Sequence, residues 1–426
     1  MNVLMLGNNL ESWTLTAALA STGCVVHLSA AQLPEADSEL MEPDLYRLLL
    51  KQQDAGRLVY ASSMAAVELL IDARHHDKGQ HQLQQDLLDF ASHVAALPGD
   101  HTCVVALVQP VPVGTTERLQ TLLQQQGYHQ LTLVYWPGFV QAGRALESFT
   151  RAGRIILGSN QPVATRLIRR LMSPFNRSRD ALMVMPPKEA ELTKIAINGM
   201  LATRVSFMNE LSELASQRGI DIETVRQGIG SDGRIGHQYL YPGCGFGGEA
   251  FLQTLDQLAD ELQDRTGFGL LCSVRAINDQ QKDLLFQKLW RFYRADLKGK
   301  RVALWGCAFK PNTASIAGSP ALVLIEALLA HDVQVQVYDP MALPTLKKHL
   351  GQRSELIYAS SPEAAAESAD AILLVTEWKE FWNLNLQKIQ SSMNTPLLLD
   401  GRNIYDPQDM HHQGWTYSGI GRGQAI

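Results

Sequence analysis

Cysteine is scarce in this chain: five of 426 residues (Cys24, Cys103, Cys244, Cys272, Cys307), none in a C-x-x-C or metal-ligand spacing. An odd, scattered set excludes a disulfide framework and a thiolate metal centre, and fits reduced thiols in a reducing compartment. Cys244 lies in a glycine-rich loop and is read as filler rather than as a reactive group. Long apolar runs are also missing. Nothing approaches the ~20 residues that a bilayer span requires, and the run Val3 to Leu6 is of strand length, closed by Gly7, rather than a targeting signal. Neither half carries a long basic run, and the formal net charge of -6 argues against a nucleic-acid or membrane-surface partner. The expectation is a cytoplasmic chain with a small-molecule partner.

What is present is ordinary globular material, 46% hydrophobic and 19% charged. At ~100 to 200 residues per domain this length predicts two to four domains. Strand-like runs alternate with helical patterns from "NVLMLG" (2 to 7) through "CVVHLS", "RLVYAS", "VELLIDA", "TCVVALV" and "QLTLVYWP". That rhythm predicts a doubly wound parallel sheet. A second such rhythm runs through "KRVALWGCAF" (300 to 309), "VQVQVYDP", "AILLVTE" and "PLLLDGR". Between them, the stretch from 186 to 219 opens on Pro and acidic residues, carries Leu192, Ile195, Leu201, Val205, Met208 and Leu211 at helical spacing, and stops at Gly219. This predicts one long helix, suited to a dimer spine. The expected fold is α/β: a Rossmann-like domain over 1–185, a helical dimerisation domain over 186–297 and a second Rossmann-like domain over 298–426.

The segment 234–251, "RIGHQYLYPGCGFGGEAF", together with "ELTKIAINGMLATRVSFMNEL", "GIGSDGRIG", "AFKPNT", "SPAL", "YDP", "TEWKEF" and "DGRNIYD", carries a resemblance across nearly the whole chain. "MEPDL" and "PVGTTERL" extend it into the first domain. The ordered set resembles the nucleotide-sugar dehydrogenases, the UDP-glucose and GDP-mannose 6-dehydrogenase family, and the loop wording is nearest the UDP-glucose branch. The resemblance implies NAD as cofactor, a UDP-sugar as substrate, and a loop reading G-x-G-[YF]-G-G-S-C-F-P-K-D. The loop cysteine is implied to carry the aldehyde as a thiohemiacetal and then a thioester. In this chain that position is Ala250, and a methyl group cannot act as a nucleophile.

Other positions implied for cofactor and chemistry are changed with it. The fingerprint G-x-G-Y-V-G reads Gly7, Asn8, Asn9, Leu10, Glu11, Ser12, and the ribose-gripping acid maps to Ala30. Glycines are needed there for a tight turn and for close backbone approach to pyrophosphate. Glu11 is expected to place a carboxylate where the pyrophosphate would lie. The family's N-P-E-F-L reads Trp136 to Val140 with Gly138 in place of the acid, so no base is expected there. Its Pro-Lys-Asp reads Leu252, Gln253, Thr254, its D-D-x-R-E-S-P reads Ala314 to Pro320, and its S-T-V-P-V-G-T reads Gln109 to Thr115. The expectation is therefore no catalytic residue and no bound cofactor, with NAD only if the chain is active.

The sugar-nucleotide half reads differently. Lys194 and Asn198, at i and i+4 on the long helix, match the family's sugar-binding Lys and Asn. Tyr239, Gly245, Phe246 and Gly247 offer backbone N–H groups and an aromatic face; Phe309, Lys310 and Arg402 match positions implied to hold the diphosphate, and Arg275 is a candidate to reach a neighbour's substrate. Two readings result. One is an inactive homologue that still binds a UDP-sugar as a regulatory or scaffold partner, as a homodimer or beside an active paralogue. The other is an active NAD-dependent oxidoreductase with rearranged chemistry, using Glu249 as base.

Overall fold

The structure is a computed structural model that describes residues 1–35, 38, 40–60, 67–74, 80–96, 101–176, 180–263 and 269–423. The end of the expected strand "RLVYAS", Ala61 and Ser62, lies outside them. The chain divides into two compact units, Met1–Ala196 and Ile197–Ile426.

In the first unit the strands are β1 (Asn2–Leu6), β2 (Val25–Leu28), β3 (Leu58–Tyr60), β4 (Leu69–Asp72), β5 (Cys103–Leu107), β6 (Leu131–Tyr135), β7 (Ile155–Gly158) and β8 (Leu182–Met185). Among the described residues they form one sheet in the order β3-β2-β1-β4-β5-β6-β7-β8. The pairs are parallel except β6 with β7, which meet antiparallel at Tyr135 and Gly158. β4 and β5 are buried along their whole length, as near-continuous apolar runs covered on both faces must be. The sequence rhythm had not included β7 and β8. Four-residue apolar runs between helices have too little periodicity to separate strand from helix.

The second unit holds β9 (Arg301–Trp305), β10 (Gln334–Tyr338), β11 (Leu356–Tyr358), β12 (Ala371–Leu374), β13 (Leu397–Asp400) and β14 (Thr416–Gly419). They pair in the order β11-β10-β9-β12-β13-β14, all parallel. Trp305 stacks on Phe381 at 5.4 Å in its core, and Leu373 is fully buried on β12. Truncating such a side chain to alanine costs ~2–5 kcal/mol. The fold is thus two α/β units with helical segments between the sheets, as the sequence pattern implied.

The long helix spans Pro187–Arg218, and the unit boundary falls within it. Its first turns position the first unit's chemistry. Glu191, fully buried, accepts from the Gly114 and Thr116 amides at 2.6 and 2.8 Å and from the Thr116 hydroxyl at 2.6 Å. These groups stand at the head of the helix Thr115–Gln125, whose N-cap is Gly114 and so has no side chain of its own to cap with. A carboxylate from another helix does that work, favoured by the helix dipole.

Candidate functional site

The first unit places the degenerate fingerprint at the turn from β1 into the helix Leu10–Ser21. Gly7 keeps φ at 134°, and a Cβ there would meet the Ala73 carbonyl carbon at 3.1 Å, so the tight turn is retained. Asn9 is the N-cap. Its Oδ1 accepts from the Ser12 amide at 2.9 Å and its Nδ2 donates to the Ala73 carbonyl at 2.6 Å, while Ser12 Oγ accepts from the Asn9 amide at 3.0 Å. This is a reciprocal capping box. It uses, within the chain, the Ser12 amide, one of the helix-head donors that a pyrophosphate would take, and the Asn9 side chain stands where the second glycine would leave room for one. Ala30 offers no carboxylate after β2. The turn thus keeps the first glycine and holds Asn9 and Ser12 at the positions of the other two.

Glu11, in the first turn of this helix, corrects one expectation. Its carboxylate accepts from Gln109 Nε2 at 2.7 Å and lies against Gly138. The Trp136–Val140 segment therefore does have a carboxylate beside it, contributed by another element. Burial pushes the Glu11 carboxyl up to about 7, against the opposing charge of Lys194 and the Gln109 hydrogen bond.

Lys194 belongs to the same cluster. Its ammonium donates to the Gly138 carbonyl and lies 4.3 Å from the centre of the Phe139 ring. Burial lowers its pKa, and Glu11 opposes that shift. Asn198, four residues on, is half-buried; the unit boundary separates it from Lys194.

In the second unit the loop 243–248 is pinned at four points. The Gly243 amide donates to Asn209 Oδ1 at 2.9 Å, the Cys244 amide to the Gly401 carbonyl at 2.9 Å, and the Gly248 amide to the Ala317 carbonyl at 2.8 Å. At Phe246 the amide donates to Asn278 Oδ1 at 2.8 Å and the carbonyl accepts from Asn278 Nδ2 at 3.1 Å. A Cβ on Gly247 would stand 2.5 Å from the Gly318 carbonyl oxygen, so only glycine allows this approach. Asn209 and Asn278 were not singled out from sequence. Each sits among the apolar residues of a helix, and only the loop packed against it reveals the amide's use.

The loop brings two of the expected nucleotide residues together. Phe309 stands behind Gly248, where a Cβ would meet its ring at 3.0 Å, and Arg402 stands behind Gly243 at 2.8 Å by the same measure. Arg402 Nε donates to the Val375 carbonyl at 2.6 Å and lies 3.3 Å from Glu377. The Lys310 ammonium is 5.6 Å from the centre of the Phe309 ring. Tyr239, with φ 59°, is 40% exposed and stands apart from these contacts. Arg275 pairs with Asp256 at 2.6 Å on the surface of its own unit. Cys244 is fully buried, and burial raises its thiol pKa, which leaves it inert. Ala250 is exposed at the head of the helix Glu249–Gln263, and Glu249 beside it is exposed and accepts from Gln253 Nε2 at 3.3 Å.

Comparison with known proteins bears on all of this. Three models of one family match in order: its NAD binding domain over residues 27–176, its central domain over 188–280 and its UDP binding domain over 303–407. The chain belongs to the UDP-glucose/GDP-mannose dehydrogenase family. It is 38% identical to a UDP-glucose 6-dehydrogenase of Pseudomonas aeruginosa over 93% of this chain and 90% of that one. It is 30% identical to a UDP-glucose 6-dehydrogenase of Rhizobium meliloti over 94% and 92%. Among solved structures, a UDP-glucose dehydrogenase from Pyrobaculum islandicum superposes with a TM-score of 0.83 at 25% identity, over 99% of this chain and 97% of that one. This member of the dehydrogenase family thus carries sequence of both the NAD-binding and the UDP-binding domain. Its NAD-domain match begins at His27, beyond the Gly7–Ser12 turn. Among the described residues no group of three or more His, Cys, Asp or Glu could hold a metal ion, and no helix is long and apolar enough to cross a membrane.

Proposed function

We propose that this protein binds a UDP-sugar and lacks the thiol-dependent half of its family's oxidation, acting as a binding, regulatory or scaffold component of nucleotide-sugar or polysaccharide metabolism. The observation that carries this reading is Ala250: the loop before it keeps its glycines and four anchors, while the residue itself presents a methyl group. Arg402, Phe309 and the loop are the residues proposed to hold the nucleotide, and Lys194 and Asn198 the sugar. The self-capped Asn9–Ser12 turn and Ala30 support weak or absent NAD binding. The division into 1–185, 186–297 and 298–426 remains the proposed domain plan. Met200, Phe207 and Leu214 are large apolar residues exposed on the long helix, which supports a second copy of this chain as partner. The few, scattered cysteines support a reducing, cytoplasmic setting.

Thermal unfolding with UDP-glucose and with NAD tests the reading, because a ligand that favours the native state raises its stability. UDP-glucose is expected to raise the midpoint and NAD to leave it unchanged. A response to NAD alone would reverse the assignment.

A second reading has specific support: an NAD-dependent UDP-sugar oxidoreductase that stops at the aldehyde. The relatives named above are called UDP-glucose 6-dehydrogenases and match over nine-tenths of both chains. Oxidation of an alcohol to an aldehyde requires no thiol, and Glu249 or another carboxylate would serve as base. Steady absorbance growth at 340 nm with a UDP-sugar and NAD would establish this reading over the first, and a flat trace across a panel of UDP-sugars would end it.

A further inference from the structure

Three groups in the first unit converge on Gly138. A Cβ on this residue would lie 1.2 Å from Glu11 Oε1 and 2.2 Å from its Cδ, so the Glu11 carboxyl occupies the space in which a residue-138 side chain would begin. Gln109 fixes its other oxygen, and Lys194 holds the Gly138 carbonyl and covers Phe139. The adjoining pocket is lined by Glu11, Trp136, Phe139, Val140, Phe149 and Arg154. The position of the Glu11 carboxyl thus requires glycine at 138.

We propose that Glu11 is a relocated carboxylate, supplied from the head of the first helix to the place that the Trp136–Val140 segment has vacated, and that it acts as the positioning and proton-exchange partner of Lys194. A carboxyl beside an ammonium suits a sugar hydroxyl, which one group can hold while the other exchanges its proton. That last step rests on Lys194 being a sugar-binding group, as proposed above. The relocation itself does not.

The titratable groups around Glu11 are Lys194 and Glu191 from the long helix, Tyr135 at the end of β6 and Arg154 before β7; Gln109 beyond β5 is neutral. Glu11 has its carboxyl pushed to about 7 by burial, against the field of Lys194, so it is neutral in mild acid and an anion above neutrality.

The test has three arms. Gly138→Ala alone displaces the Glu11 carboxyl and should lower the thermal midpoint, and in a Glu11→Ala background should be nearly neutral; equal losses in both backgrounds would overturn the relocation. In ¹³C NMR, the carboxyl resonance missing from Glu11→Gln should titrate near pH 7 and move to higher pH in Lys194→Met, where the opposing cation is gone. A midpoint unmoved by Lys194→Met would overturn the pairing. Calorimetry with UDP-glucose at pH 6 and pH 8 should show a pH-dependent affinity that Glu11→Gln abolishes, and a dependence that persists would overturn the proton-exchange role. If UDP-glucose does not bind at all, the UDP-sugar reading fails together with that role, while the first two arms still decide the relocation.

Discussion

Asn9 and Ser12 cap one another at the head of the first helix, Asn9 Oδ1 taking the Ser12 amide at 2.9 Å and Ser12 Oγ taking the Asn9 amide at 3.0 Å. Replacing both by glycine removes the cap, and should cost a few tenths of a kcal/mol at the N-cap and ~0.5 kcal/mol for glycine within the first turn, read by urea unfolding. It also frees the donors and clears the approach. Adding Ala30→Asp to the Asn9→Gly/Ser12→Gly pair is expected to create a saturable rise of the unfolding midpoint with NAD that the wild type lacks. A comparable rise in the wild type would show that the self-capped turn is no obstacle.

Ala250→Cys should add one readily alkylated thiol. Cys24, Cys103, Cys244 and Cys307 are buried and Cys272 is half-buried. Burial pushes the Cys103 thiol up to about 12 and raises those of Cys244 and Cys307. Native-state iodoacetamide labelling read by mass spectrometry is therefore expected to modify Cys272 at most in the wild type, and one further site in the variant, whose position is exposed. No added label would mean that the head of the helix Glu249–Gln263 is closed in solution.

Arg402→Lys keeps the charge but loses the Nε donor to the Val375 carbonyl. A lost hydrogen bond to a charged group at a largely buried site costs ~1.5–3 kcal/mol, and Lys cannot reproduce the planar fork. Denaturant unfolding should show that loss, and calorimetry a weaker affinity for UDP. Lost stability with unchanged UDP affinity would assign Arg402 to holding the loop alone.

Lys288 gives the second unit a pH signature. It is buried, donates to Ser418 Oγ at 2.8 Å, and has its pKa lowered to about 8 by burial and by the charge of Arg291. A base whose folded pKa is depressed contributes stability that is complete above its unfolded value, ~10.4, and is lost as pH falls through the folded one. Stability of the wild type from urea midpoints should rise between pH 8 and pH 10 by this contribution, and Lys288→Met should flatten it. An identical slope in the variant would place the charge elsewhere.

The Glu11 relocation shows where linear reading stops. Gly138 in place of an acid is visible in the sequence, and so is Glu11 in place of an apolar residue. Nothing in the sequence links two positions more than a hundred residues apart, because the link is a shared volume of about one carboxyl group. The same holds for Glu191 capping a helix that begins at Thr115, and for Asn209 and Asn278 clamping the loop: a polar residue within a helical pattern does not announce its partner.

By itself the sequence determined the two parallel-sheet rhythms, the long helix with its proline start and glycine stop, the family, and the absence of a thiol at Ala250. These depend on periodicity, local backbone preference and residue identity, all of which are written along the chain. Tertiary structure alone decided that Asn9 and Ser12 close the helix head, that Arg402 is committed to the Val375 carbonyl, and that the Glu11 carboxyl fills the space of residue 138. Those are matters of distance and burial between remote segments, and they exist only once the sheets have brought the segments together.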